Sequence, residues 1–186
     1  MDSNKFWELI DEARTIAGSW EEMYDPLVAK LSEYSDDEIL RWGKIFNLYQ
    51  DLSYKDRLWA AAYVINGGCS DDGFDYFRGW LTAQGKDVFM SALRDPDSLV
   101  EIEPEDGEGE FEEMLSVGAF AYFKKHNMDP DYDLYFGKLE ALALPLEEIT
   151  AIEAEITYAE KIDLDWSADE SLLKEIVPKL CSFFEW

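Results

Sequence analysis

The sequence predicts an all-α protein: one globular helical domain spanning residues 1–186, with about seven to nine helices around an aromatic-rich core. Three observations lead there. Apolar residues recur at spacings of three and four along most of the chain, the period of a helix with one buried face. No stretch alternates apolar and polar residues over the length of a strand, and no internal repeat is visible. Helix punctuation is dense, with Ser and Glu three residues apart before apolar stripes, prolines where helices would open and glycines where they would close.

Ser3 is placed to cap a first helix in which Phe6, Ile10, Ala13 and Ala17 share one face, and Gly18 stops it. Pro26 suits a first helical turn and would disrupt an interior one, so a short helix is expected from about Asp25. Ser35 and Glu38 have capping-box spacing ahead of the stripe Ile39, Trp42, Ile45, Phe46, Tyr49 and Leu52. A break at Tyr54 to Asp56 follows.

The stretch from Trp59 to Leu99 holds the densest mixture of aromatics, glycines and helix punctuation, and reads as three short helices joined by two tight corners. The first is apolar nearly all round and is expected to be buried. Gly67 and Gly68 end it, because glycine enters the left-handed region without a Cβ penalty. Ser70 restarts the helix as an N-cap, with Asp71 and Asp72 complementing the positive end of its dipole. Phe74, Phe77 and Leu81 point inward, and Gly85 closes the segment.

The run INGGCSDDGFDYFRGWLTAQG, preceded by LWAAAY and followed by DPDSL, resembles the signature of the bacterial domain of unknown function 4240 family, DUF4240. The likeness extends more loosely from FWELIDEA near the start to VPKLCSFF near the end. It implies a single whole-chain domain and brings no substrate, cofactor or catalytic residue with it.

Beyond the signature, Asp95 to Leu99 read as a turn around Pro96. Glu101, Glu103, Glu105, Asp106, Glu108, Glu110, Glu112 and Glu113 then crowd one short stretch. Like charges at this density repel and Pro104, Gly107 and Gly109 oppose helix, so 101–109 is expected to be an extended or mobile acidic loop. Phe111, Leu115, Gly118 and Tyr122 set the stripe of the next helix; Lys124, Lys125 and His126 suit its C-terminal end, and Asn127 ends it. Residues 128–145 give no clear pattern. Pro145 then opens a helix carrying Leu146, Ile149, Ile152 and Ile156. After a connector to Trp166, Ser167 and Glu170 repeat the capping-box spacing before a last helix with Leu173, Val177, Leu180 and Phe184, kinked at Pro178.

Apolar residues at 47% and aromatics at 15%, seven of them Trp, fit a well-packed globule rather than disorder. Sixteen basic residues against 42 acidic ones give a net charge of −26, which excludes nucleic-acid backbones and anionic membranes as direct partners and favours a basic protein. Most of that charge belongs to the second half: residues 1–93 carry −8 and residues 94–186 carry −18. The N-terminus has no basic region leading into an apolar run, and no apolar stretch has membrane-spanning length, so a cytoplasmic location is expected. Two cysteines, Cys69 and Cys181, form no disulfide framework and fit a reducing compartment, with a single bridge between them left open.

Asn66, Cys69, Asp71, Asp72, Asp75 and Arg78 make the most site-like corner. Asp71 and Asp75, four residues apart, share a helix face from which both carboxylates can reach one divalent cation; against this, Asp71 and Asp72 suit a helix N-terminus and Asp75 can pair with Arg78. Asp129, Asp131, Asp133 and Glu140 occupy positions one, three, five and twelve of a calcium-loop template, but the glycine needed at position six is Leu134. The lone histidine, His126, excludes any site that needs two, and a Cys69–His126 nucleophilic pair lacks an orienting third group. No phosphate-binding glycine loop and no cofactor is expected. The charge favours a non-enzymatic module that binds a basic protein, of inhibitor or immunity type. The acidic run would be its docking surface, with Trp20, Tyr132, Tyr135 and Trp186 as anchors. One alternative is an enzyme or metal-dependent ligand binder using the corner carboxylates; another is a regulatory or structural domain acting through shape.

Overall fold

Local punctuation sets most of the helix boundaries in the computed structural model of the chain, which describes residues 1–105, 107–161 and 165–186. The Asp2 carboxylate, rather than Ser3, caps α1 (Ser3–Ala17) by accepting from Lys5 N at 2.9 Å, and Gly18 closes it at φ +88°. α2 (Tyr24–Leu31) starts one residue earlier than Pro26 alone suggests. Ahead of α3 (Asp36–Leu52), Ser35 and Glu38 form the reciprocal capping box: Glu38 Oε2 accepts from Ser35 N and Ser35 Oγ accepts from Glu38 N. α4 (Asp56–Ile65), α5 (Asp71–Ala83) and α6 (Lys86–Arg94) are the three short helices of the signature.

The chain then departs from the sequence expectation. Residues around Pro96 form not a turn but a 3-10 segment, η1 (Pro96–Ile102). A second, η2 (Glu112–Ser116), runs directly into α7 (Val117–His126). Three residues per turn in η2 break the four-residue spacing of the expected stripe, so Phe111 is buried while Leu115 is exposed. Asn127 ends α7 in the left-handed region. α8 (Tyr132–Ala141) fills the stretch without a clear pattern, and α9 (Leu146–Glu155) follows Pro145, burying Ile152 and leaving Leu146 exposed.

The expected last helix is divided. Asp169, not Ser167, caps η3 (Glu170–Leu172), which continues into α10 (Leu173–Ile176). Pro178 does not kink a continuous helix; it opens a new one, α11 (Pro178–Phe183), after Val177 leaves helical geometry at φ −134° and ψ 63°. The carboxylate of Asp97, buried and distant in sequence, accepts from Lys179 N and Leu180 N at 2.9 Å each and so caps α11. These short and divided segments bring the described residues to twelve helical stretches, more than expected, with no strand among them.

The chain forms two compact units. One comprises Met1–Asp51 and Glu112–Ala154, with α1, α2, nearly all of α3 and α7 to α9. Phe6, Trp42, Phe46 and Tyr49 stack at its centre, with Phe6 and Trp42 ring centroids 5.2 Å apart. Gly43 and Gly118 both abut Tyr135 of α8. The other comprises Leu52–Phe111 and Glu155–Trp186, with the signature helices and the C-terminal segments. Its aromatic spine runs from Tyr54 through Trp59, Phe74 and Phe77 to Trp80. The aromatic-rich core expected from composition is present in both. Among the described residues no helix is long and apolar enough to cross a membrane.

Candidate functional site

The signature corner spends its polar groups on itself. Gly67 and Gly68 adopt φ of +66° and +134°, and Gly68 N donates to Tyr63 O at 2.9 Å, turning the chain at the end of α4. Ser70 Oγ accepts from Gly73 N at 3.1 Å and caps α5, whose exposed first turn carries Asp71 and Asp72. Asp75 forms an ion pair with Arg78. The Arg78 guanidinium lies over the rings of Tyr54 and Phe74 at 4.8 and 4.9 Å, and its Nε donates to Phe74 O. A carboxylate engaged by a buried guanidinium has little left to offer a cation shared with Asp71. Cys69 is half-buried with its thiol turned to Ser70 O; burial first, and then the negative charge of Glu110, push that thiol up to about 12. The sulfur is therefore a protonated thiol at neutral pH, the opposite of an activated nucleophile. Both cysteines are free thiols, so the bridge left open by the sequence is not formed.

Asn66 has a different task. Its Nδ2 donates to Gly109 O at 3.1 Å while its Oδ1 accepts from Gly109 N at 2.9 Å. Gly107 N donates to Ile65 O and Phe111 N to Tyr76 O, each at 3.0 Å. The acidic segment is thus tied to the corner at residues 107, 109 and 111. Gly109 suits the closest approach, since a Cβ there would stand 2.7 Å from Asn66 Oδ1 and 3.0 Å from Ile65 Cγ2. The intervening Glu108 and Glu110 face solvent, as do Glu103, Glu105 and Glu101, the last in the final turn of η1. Asp106 lies outside the described residues, and Glu112 and Glu113, also exposed, open η2 in the other unit.

The remaining candidates sit apart from these. Asp131 caps α8 by accepting from Leu134 N at 3.0 Å, Asp133 is in that helix's first turn and Glu140 in its last. A calcium loop must turn sharply at the position held here by helical Leu134. Among the described residues, no three His, Cys, Asp or Glu side chains converge to hold a metal ion. His126 Nε2 lies 3.0 Å from Asp36 Oδ2. Of the four proposed aromatic anchors, Tyr132 is exposed, and Trp20 and Trp186 are half-buried, the latter donating from Nε1 to Val64 O at 3.0 Å. Tyr135 is 3% exposed and is a core residue, not an anchor.

One site escaped the sequence reading altogether. In the unit that holds the signature, a cavity of about 380 Å³ lies between the start of α4, the junction of α6 with η1, and residues 158–161. Lys55, Arg57 and Lys161 line it with Tyr158, Leu93 and Pro96. The only sequence signal was three cations in a chain poor in them, and their separation in sequence hid their convergence.

An acidic protein, all-helical over its described residues, whose glycine corner is tied to a run of outward carboxylates, is the class that fold and site define. The chain belongs to the family described as Protein of unknown function (DUF4240), whose pattern it matches over residues 1–124. That match includes the signature corner and the acidic run and ends within α7. No curated protein and no solved structure matches the chain significantly.

Proposed function

We propose that the chain is a non-enzymatic protein-binding module whose partner is a basic protein, docked on the carboxylates between Glu101 and Glu110. One observation carries the reading. Glu101, Glu103, Glu105, Glu108 and Glu110 are all exposed, and none of them forms an ion pair among the described residues. Uncompensated charges of one sign on a single segment steer an oppositely charged partner and raise its on-rate. The backbone that carries Glu108 and Glu110 is held by the corner through Gly107, Gly109 and Phe111, so less ordering entropy is lost on docking. The signature thereby acquires a role in shape: it holds the backbone that carries Glu108 and Glu110.

The test has two stages. Tagged protein is used to capture partners from lysate at low ionic strength, and the bound fraction is released with salt. The capture is then repeated with all five of these glutamates changed to Gln. A stoichiometric basic protein that salt releases, and whose on-rate falls about tenfold or more with the variant, supports the reading. A partner that binds the variant as well as the parent, or the absence of any salt-released basic partner, overturns it.

A further inference from the structure

We propose that the cavity between α4, the α6–η1 junction and residues 158–161 is a binding site for a small organic monocarboxylate with an apolar body. The cavity shares no lining residue with the acidic docking surface.

The walls of this cavity are cross-tied. Ala159 N donates to Leu93 O at 2.8 Å, fixing the outer segment to the end of α6. Tyr158 Oη donates to Leu52 O at 3.1 Å. The Arg57 guanidinium donates to Glu160 O at 3.2 Å and to Ile176 O at 3.3 Å, joining the start of α4 to both C-terminal segments. At about 380 Å³ the space falls in the range of small-molecule sites, and walls held by such bonds keep it formed without a ligand.

Its charge is opposite to that of the protein. Lys55, Arg57 and Lys161 line it, and among the described residues none of the three forms an ion pair with a carboxylate. Among the described residues Arg57 hydrogen bonds to backbone carbonyls alone and its buried Nε has no partner, so no carboxylate is bonded to its guanidinium. The Lys55 ammonium stands 4.6 Å over the Tyr158 ring and is thereby held at the cavity rather than free to leave it. The cavity also contains the start of α4, which no side chain caps, and whose dipole adds partial positive charge. In a chain of net charge −26, three cations around one cavity with no carboxylate ion-paired to them among the described residues call for an anion.

The lining also restricts which anion. Asp56 and Glu160 belong to it as well, so the ionised side chains leave one positive charge in excess. That balance fits a monoanion and opposes a phosphate dianion. Tyr54, Leu58, Leu93 and Pro96 supply apolar surface for a hydrocarbon or aromatic body. Arg57 spends its fork on backbone carbonyls, which leaves the two lysines as point charges for the carboxylate.

The experiment uses the full chain and four probes at millimolar concentration: phenylacetate, 4-methylpentanoate, the neutral alcohol 2-phenylethanol and inorganic phosphate. Binding is followed by thermal shift and by amide NMR shifts at Lys55 to Leu58 and Tyr158 to Lys161. The carboxylates should raise the Tm and move these amides. The alcohol and phosphate should bind at least about tenfold more weakly, as should the carboxylates to a Lys55→Gln/Lys161→Gln variant. Both lysines are exposed and neither forms an ion pair among the described residues, so that variant should lose no more of the unliganded stability than the exposed Lys55–Tyr158 contact contributes. A null result with both carboxylates, equal binding of the alcohol or of phosphate, or undiminished binding to a folded double variant overturns the assignment.

Discussion

At Cys69, burial and the nearby Glu110 carboxylate both oppose a second negative charge, which is why the thiol is pushed from its ordinary 9.0 up to about 12. A proton held more tightly in the folded state has a definite sign in the stability profile. Below pH 9 both states keep it and nothing changes; between 9 and 12 the unfolded chain releases it first, and stability falls as pH rises. Cys181 is shifted in the same direction by its own burial. A Cys69→Ala variant should therefore lose stability less steeply over that interval in urea titrations at stepped pH. The same shift cuts the thiolate fraction at pH 8 by about a thousandfold, and the thiolate is what an alkylating agent attacks. Iodoacetamide at pH 8 should leave Cys69 of the folded protein essentially unlabelled and modify it readily in urea, as read by peptide mass mapping. Labelling at the rate of an ordinary thiol in the folded state would show that neither burial nor Glu110 governs the sulfur.

At the scale of the element, α8 buries two side chains, Tyr135 and Leu139, and the first makes the closest approach to its neighbours. Tyr135 is buried, burial pushes its phenol up, and its hydroxyl lies against Gly43 of α3 and Gly118 of α7. A Cβ at Gly118 would collide with the Tyr135 hydroxyl but meet its Cζ only at 3.4 Å and Trp42 Cε3 at 3.6 Å, both ordinary contacts. Gly118→Ala should accordingly cost about 1–3 kcal/mol through overpacking. Adding Tyr135→Phe removes the colliding oxygen, and the helix preference of Ala over Gly, about 1 kcal/mol, then shows. The double variant should match or exceed the parent in urea midpoint, a non-additivity that reads the contact directly. Additive losses would place the strain elsewhere. The same helices show what could be read from the sequence. Ser35 with Glu38, Ser70, Gly68 and Asn127 act on neighbours within a few residues, and those boundaries stand as expected. Leu115, Ser167 and Pro178 depend on more than neighbours: a 3-10 turn exposes the first, Asp169 displaces the second, and Asp97, some eighty residues away, completes the helix that the third begins. Tyr135 is a core residue rather than an anchor for the same reason, since the two glycines that receive it lie on other helices. The cationic cavity was illegible because its walls come from residues near 55, 93 and 160.

For the molecule as a whole the governing quantity is the charge of −26, carried by 42 acidic and 16 basic residues. Two effects of salt compete. Screening weakens surface ion pairs such as Lys5 with Glu8 and Lys86 with Glu155, which contribute little each because solvent already screens them. It also relieves repulsion among the surplus carboxylates, which opposes the compact state. The second effect should win, because the surplus carboxylates outnumber every attractive pair that 16 basic residues can form. Tm should thus rise with NaCl, most steeply between about 10 and 100 mM, where the screening length falls from about 30 to about 10 Å. A flat or falling Tm would mean that attractive pairs outweigh the surplus. The proposed docking of a basic partner on Glu101 to Glu110 depends on the same unscreened charge with the opposite outcome. Over one salt series the protein should become more stable while its partner lets go, and a partner whose affinity stayed constant as Tm climbed would be held by something other than these carboxylates.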